Sequence, residues 1–180
     1  MDEVKFNLET RSSQKFQKLI MKKSFVATLV IETEEGNFLA HYSDSGLAQL
    51  DFPKSKKIPI SSETNAQIRR WHSATTRAIH NALRGKAPGV LPPLDLLSGT
   101  PLQKKVWAAL QKIPCGKTET YSQIAASVGK PKAARAAGSA CGANPIPLLI
   151  PCHRVVAASG KLGGFSGGLD WKKKLLAREK

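Results

Sequence analysis

The chain has 180 residues, is 41% hydrophobic, and sets 28 Lys+Arg against 13 Asp+Glu for a formal charge of +15, a size for one good core or two small ones and for one to two domains. No apolar run approaches the roughly 18 residues of a membrane span, and charges interrupt the N-terminal stretch where a secretion signal would be apolar, so the expected compartment is intracellular, cytoplasm and nucleoid or nucleus. So positive a field concentrates polyanions and points to nucleic acid, with a surface kept basic for solubility or for an acidic protein as the alternative.

From the N-terminal side, residues 25 to 52 alternate β-rich runs with turn signals. Phe25 to Glu32, Phe38 to Tyr42 and Leu47 to Phe52 read as strands, with a turn at Glu35-Gly36-Asn37, the pattern of an antiparallel meander. A loop rich in Lys, Pro and Ser over Pro53 to Ser62 leads into a helical pattern from about Thr64 to Leu83, stopped by Gly85 and Pro88. Pro88 to Pro93 and the apolar Leu94 to Leu97 read as a linker or crossing segment, which puts a boundary near 98 and divides the chain into 1–97 and 98–180. Beyond it, Thr100-Pro101 starts a helix whose Leu102, Val106, Trp107, Leu110 and Ile113 fall at helical spacing, ending at Pro114-Cys115-Gly116. Tyr121 to Val128, a break at Gly129-Lys130-Pro131, and a second run from Lys132 to Cys141 give two short helices around a tight turn. This pattern suggests a helix-turn-helix, while taken without context an ordinary αα corner is the favoured reading, because helix pairs with short turns are common scaffolding. The second helix is slim, with Ala133, Ala134, Ala136, Ala137 and Ala140, and Arg135 is its only mid-helix charge. Gly160 to Gly168 reads as a turn or wing. The fold class expected is mixed α/β in two parts, a sheet-and-helix unit followed by a mainly helical one.

Cys115, Cys141 and Cys152 form no C-x-x-C pair, and His41, His72, His80 and His153 are scattered, so reduced thiols and no metal site are expected. The sharpest chemical signal is the proline-bounded apolar run from Ile146 to Pro151, which delivers Cys152 directly beside His153 and Arg154. A free thiol is mostly protonated at neutral pH, so a nucleophilic cysteine needs nearby positive charge or a base, and this neighbourhood can favour a thiolate, with His153 acting directly or through water. A buried, inert cysteine is the alternative reading.

Taken whole, the stretch from about Gly99 to Glu179 resembles the C-terminal domain of the O6-alkylguanine-DNA alkyltransferases. The match runs through Pro114-Cys115-Gly116, Tyr121-Ser122-Gln123-Ile124-Ala125, Pro131 to Ala136, Gly142-Ala143-Asn144-Pro145, Pro151 to Val156, Ser166-Gly167-Gly168 and Leu175-Leu176. The N-terminal half resembles the family's smaller, ribonuclease H-like domain in size and in strand-helix order alone. The resemblance implies a single, irreversible transfer of a methyl or alkyl group from O6-alkylguanine in duplex DNA, with O4-alkylthymine a second candidate, to Cys152. No cofactor is implied, the expected state is a monomer, and cooperative binding along DNA stays open. By the same resemblance His153 is the water-mediated base, Glu179 its supporting carboxylate, Asn144 a hinge, and Tyr121 a donor to the guanine ring. Pro147, Val155, Phe165, Ser166 and Lys172 would form the base pocket, Phe165 standing where many members carry a tyrosine. Arg135 would replace the extruded base in the minor groove, with Ala133, Ala134, Lys132 and Gly138 on the DNA-facing helix. Lys104, Lys105, Lys130, Lys132 and the run Lys172 to Lys174 are candidate phosphate contacts. The rival readings are a non-catalytic lesion-binding protein, a cysteine hydrolase and a plain helix-turn-helix regulator.

Overall fold

The computed structural model describes residues 25–53 and 64–180. Most of the expected Pro53 to Ser62 loop and the N-terminal stretch lie outside those residues. The meander is present as β1 (Ala27–Ile31), β2 (Phe38–Ser43) and β3 (Gly46–Asp51), paired antiparallel in the order β1-β2-β3. Period-2 alternation sends Phe38, Ala40 and Tyr42 inward, where none has measurable exposure. Onto this sheet packs α1 (Ala66–Leu83), which begins where Asn65 caps the Ile68 N–H at 2.8 Å. The Tyr42 hydroxyl, buried between sheet and helix, donates to Thr75 Oγ1 at 3.0 Å.

The Pro88 to Leu97 stretch crosses β3 and pairs with it. Leu47 N–H donates to the Pro93 carbonyl and Asp95 N–H to the Leu47 carbonyl, both at 2.8 Å. The crossing is so close that a Cβ on Gly46 would lie 2.1 Å from the Pro93 oxygen, and the residue also sits at φ +144°, so only glycine fits.

The remaining described helices are α2 (Pro101–Leu110), α3 (Tyr121–Ser127), α4 (Ala134–Gly142) and α5 (Leu169–Arg178). Thr100 with Gln103, and Thr120 with Gln123, close reciprocal capping boxes that fix where α2 and α3 begin. The expected break between α3 and α4 falls at Gly129, φ +75°. Buried Trp107 on α2 donates its indole N–H to the Ala140 carbonyl of α4 at 2.9 Å, tying these two helices together. A 3-10 turn, Cys152–Arg154, leads into β5 (Val155–Val156), which pairs in parallel with β4 (Glu119–Thr120).

Of the two core arrangements the length allowed, the structure has one continuous cluster of buried residues spanning both parts. Phe38 and Phe52 from the sheet side pack against Trp171 of α5, and Phe52 meets Phe165 edge-on at 5.5 Å. Glu35, in the β1–β2 turn, pairs with both Lys174 and Arg178 of α5. No described helix is long and apolar enough to cross a membrane.

Candidate active site

Between α3, α4 and the 157–166 segment opens a cleft of about 710 Å³. Tyr121, Ala134, Arg135, Gly138, Phe165 and Ser166, all named from the sequence, line it. The Tyr121 ring lies over Gly138, whose added Cβ would meet it at 3.6 Å. On the other side of the ring Gly163, at φ +65°, comes so near the hydroxyl that a Cβ would stand 2.5 Å from the oxygen. Pro147 lines a smaller adjoining cavity of about 370 Å³, which shares Gly142 and Ser166 with the cleft and also exposes Asn144. Arg135 is exposed on α4, Ala133 caps that helix without a side-chain bond, and Lys132 is exposed just before it.

Cys152, His153 and Arg154 are all buried, because the 3-10 turn that carries them is enclosed by α5 on one side and α2 on the other. Asn144 organises the approach to the sulfur. Its Oδ1 accepts from Ile146 N–H at 3.0 Å, while Nδ2 donates to the Ile150 carbonyl at 2.8 Å and to Cys152 Sγ at 3.1 Å. Within that loop Leu148 takes φ +75°, a strained value for a branched residue, and its buried side chain holds it there.

His153 Nε2 stands 2.9 Å from Glu179 Oε1. Glu179 also accepts from Arg154 Nε on both oxygens at 3.2 and 3.0 Å, from Arg154 Nη2 at 2.9 Å, and from Gly116 N–H at 3.2 Å. Arg154 Nη1 reaches the Ile113 carbonyl at 2.6 Å. Burial by itself would raise the Glu179 pKa, but hydrogen bonds and charge from His153 and Arg154 outweigh it and hold the carboxyl at about 2. The carboxylate is therefore ionised at neutral pH and accepts the Nε2 proton, which leaves the His153 Nδ1 lone pair free. That Nδ1 is the single buried side-chain N or O atom among the described residues without a hydrogen-bond partner. Burial lowers the His153 pKa below 6.5 despite the opposing pull of Glu179, so the ring is neutral and basic.

Contrary to the expectation from the sequence, the neighbourhood of Cys152 does not keep a resting thiolate: burial pushes its pKa up to about 11, against the smaller downward pulls of Asn144 and Lys172. The sulfur rests as a thiol, and its proton must leave as it reacts. Cys141, buried in α4, is pushed up to about 12.

Lys172 also departs from its place in a phosphate-contacting run. It has no measurable exposure, and its ammonium donates to the carbonyls of Val155 at 2.6 Å, Gly164 at 3.4 Å and Leu162. It thus pins the wall of the cleft to β5, where Val155 is itself buried. Lys174, one half-turn further along α5, is held by Glu35, leaving Lys173 as the member of that run without an acidic partner among the described residues. The helical period splits the run, since neighbours on a helix point about 100° apart.

The residues 101–180 match the model of the 6-O-methylguanine DNA methyltransferase DNA-binding domain. A methylated-DNA-protein-cysteine methyltransferase of Methanosarcina barkeri is 42% identical over 154 residues, covering 83% of this chain and 94% of that one. The chain belongs to this methyltransferase family. Among solved structures, Mycobacterium tuberculosis OGT in complex with DNA superposes with a TM-score of 0.69 at 36% identity, over 86% of this chain and 93% of that one. An O6-methylguanine DNA methyltransferase of Methanococcus jannaschii gives 0.61 at 30%, over 84% and 92%.

Three features of this site escaped the residue pattern. Arg154 forks onto Glu179, the Gly116 amide donates to the same carboxylate, and Gly163 touches the Tyr121 hydroxyl. The signals were present, as an arginine beside the histidine and as isolated glycines in motifs, but the partners lie 25 to 63 residues apart in the chain.

Proposed function

We propose that the chain repairs alkylated duplex DNA by direct reversal, moving a methyl or alkyl group from O6-alkylguanine to its own Cys152 once per molecule. What carries this reading is His153, held by Glu179 through Nε2 and unpartnered at Nδ1, on the same short turn as the buried Cys152, whose sulfur is bonded by Asn144 from the wall of the cavity adjoining the cleft. The fold supports it at a finer level. The β1-β2-β3 meander followed by α1 reads as a ribonuclease H-like unit within 1–97, and α3-turn-α4 reads as a helix-turn-helix within 98–180.

The target atom lies inside the base stack, so the damaged nucleotide swings into the cleft while Arg135, exposed at its rim, fills the gap it leaves. Ala133, Ala134 and Gly138 keep α4 slim enough for close approach, and Lys132 with Lys130, Lys104 and Lys105 contacts phosphates. Tyr121 and Ser166 serve the base, with Pro147 and Phe165 as walls and the fully buried Val155 behind them; Phe165 supplies a stacking face and no hydroxyl. Lys172 acts from behind, by holding the wall in place.

The Cys152 proton passes to His153 Nδ1, directly or through water, and Glu179 stabilises the imidazolium. The sulfur attacks the alkyl carbon, an S–C bond forms, and the C–O6 bond breaks with its electrons left on guanine. Guanine takes up a proton to return to its ordinary form, aided by donors around the base. A thioether is a poor leaving group, and the transfer stops there. Intact-protein mass spectrometry after incubation with an O6-methylguanine duplex is expected to give a single methyl on Cys152, saturating at one per protein, and none in Cys152→Ala. Lesion-selective binding by wild type without mass gain would replace the transferase with a non-catalytic damage sensor.

A further inference from the structure

The outer face of α1 takes no part in the cleft, yet it carries a row of arginines that meets acidic residues only at its C-terminal end, where Arg84 lines a cavity with Glu34 and Glu35. Arg69, Arg70 and Arg77 lie along it, Arg84 caps its C-terminus, and all four are exposed. At 100° per residue these arginines fall, with Ser73 and His80 between them, within an arc of about 100°. The buried Ile68, Thr75, Ala78, Ile79 and Ala82 occupy the opposite side. From Arg69 to Arg84 the stripe runs about 22 Å, the rise of roughly six phosphates along one strand of a duplex.

Not one Asp or Glu occurs between Thr64 and Leu94. Of the other arginines in the described residues, Arg154 is locked on Glu179, Arg178 pairs with Glu35, and Arg135 faces the cleft. The four on α1 have no acidic partner among the described residues. Arg69 Nη1 donates to the Thr64 carbonyl at 2.6 Å and Arg77 Nη1 to Ser73 Oγ at 2.8 Å, which leaves further N–H donors on each fork. A helix face serving solubility alone mixes both signs and gains from Glu–Lys pairs one turn apart. This one carries a single sign, and carries it as arginine, whose planar fork matches the oxygens of a phosphate.

We infer that the outer face of α1 is a second DNA-docking surface, which grips the phosphate backbone of a duplex segment other than the one presented to the cleft. The inference rests on the action on DNA proposed above. It makes the N-terminal part a backbone clamp, blind to sequence and to damage, which keeps the protein on DNA while the cleft samples bases.

The test compares wild type, a variant with Arg69, Arg70, Arg77 and Arg84 all changed to Gln, and the matching set changed to Lys. Because these side chains lie outside the core, all three are expected to unfold at the same temperature. Each is titrated across salt with O6-methylguanine duplexes of about 12 and about 40 base pairs, and single-turnover transfer is followed on the short one. On the long duplex the Gln set is expected to bind on the order of tenfold more weakly, with a salt slope flatter by roughly 3 to 4, about 0.9 for each phosphate no longer neutralised. Binding and transfer on the short duplex stay at the wild-type level, and the Lys set keeps most of the slope. Equal weakening on both lengths would mean that α1 adds only to the overall field, and no weakening on either would mean a merely solvated face; both results overturn the inference. Absence of binding and transfer in wild type would instead remove the function proposed above, and this clamp with it.

Discussion

Two histidines of this molecule are buried and hydrogen-bonded to carboxylates, and they are not alike. His41, on β2, has Nε2 at 3.1 Å from Asp51 and Nδ1 at 2.9 Å from Thr28 Oγ1, with the Phe25 ring stacked 4.6 Å away. Both its nitrogens are used, and it acts as a cross-strand tie. His153 has the same kind of carboxylate partner on Nε2 and none on Nδ1. A His–carboxylate pair is therefore no sign of reactivity in itself; a spare nitrogen on the residue that follows a buried thiol is. Glu179 is gripped besides by an arginine fork and a backbone amide, where Asp51 takes the Gln49 side-chain amide at 3.0 Å.

The largest effect expected from this contrast is on rate. His153→Phe should slow single-turnover transfer by about 10²–10⁴-fold, the usual worth of a positioned base, while Thr28→Val beside His41 leaves it unchanged; equal effects at both sites would erase the distinction. Next comes stability. Glu179→Ala strands Arg154 in a buried position and is expected to cost about 3–5 kcal/mol in denaturant unfolding. The isosteric Glu179→Gln tests the linked pH dependence. The folded-state pKa of Glu179 is depressed from 4.5 to about 2, so its contribution is fully present above 4.5 and lost as pH falls towards 2. Wild type should therefore lose stability relative to Glu179→Gln across that window. Removing the Asn144 amide with Asn144→Ala leaves the Ile146 N–H unmatched and takes from the Ile150 carbonyl one of its two donors, the other being Cys152 N–H, at about 1–3 kcal/mol by thermal unfolding, and slows transfer as well. The smallest effect is a midpoint. Because the His153 pKa lies below 6.5, transfer is expected to hold steady from neutral pH upward and to reach half its rate only below pH 6.5. A midpoint well above that would assign the titration to another group.

The elements came through plainly in the sequence wherever local chemistry sets them. Thr100-Pro101 announced α2, and the alternation over residues 25–52 announced the sheet, because caps and periods act over a few residues. The strand ends differ by a residue or two and the second short helix begins at Ala134 rather than Lys132, where the chain is still turning out of Pro131. The site was legible as a motif and not as a geometry. Nothing local joins Glu179 to His153 or Gly116, and the order Lys172-Lys173-Lys174 conceals that the first points into the core and the third reaches Glu35 in the β1–β2 turn. The thiol state was also out of reach, since burial outweighs the positive neighbours that sequence does reveal.

The Asn144 amide bonds to the Cys152 sulfur and to two backbone groups, so its chemical survival matters as much as its geometry. Asparagines age by losing ammonia when the backbone nitrogen of the next residue attacks the side-chain carbonyl. Here the next residue is Pro145, which has no N–H with which to do so. An aspartate formed at this position would turn an acceptor towards both the Ile150 carbonyl and the sulfur. In a protein that acts once after an indefinite wait, that one proline guards the shelf life of the site.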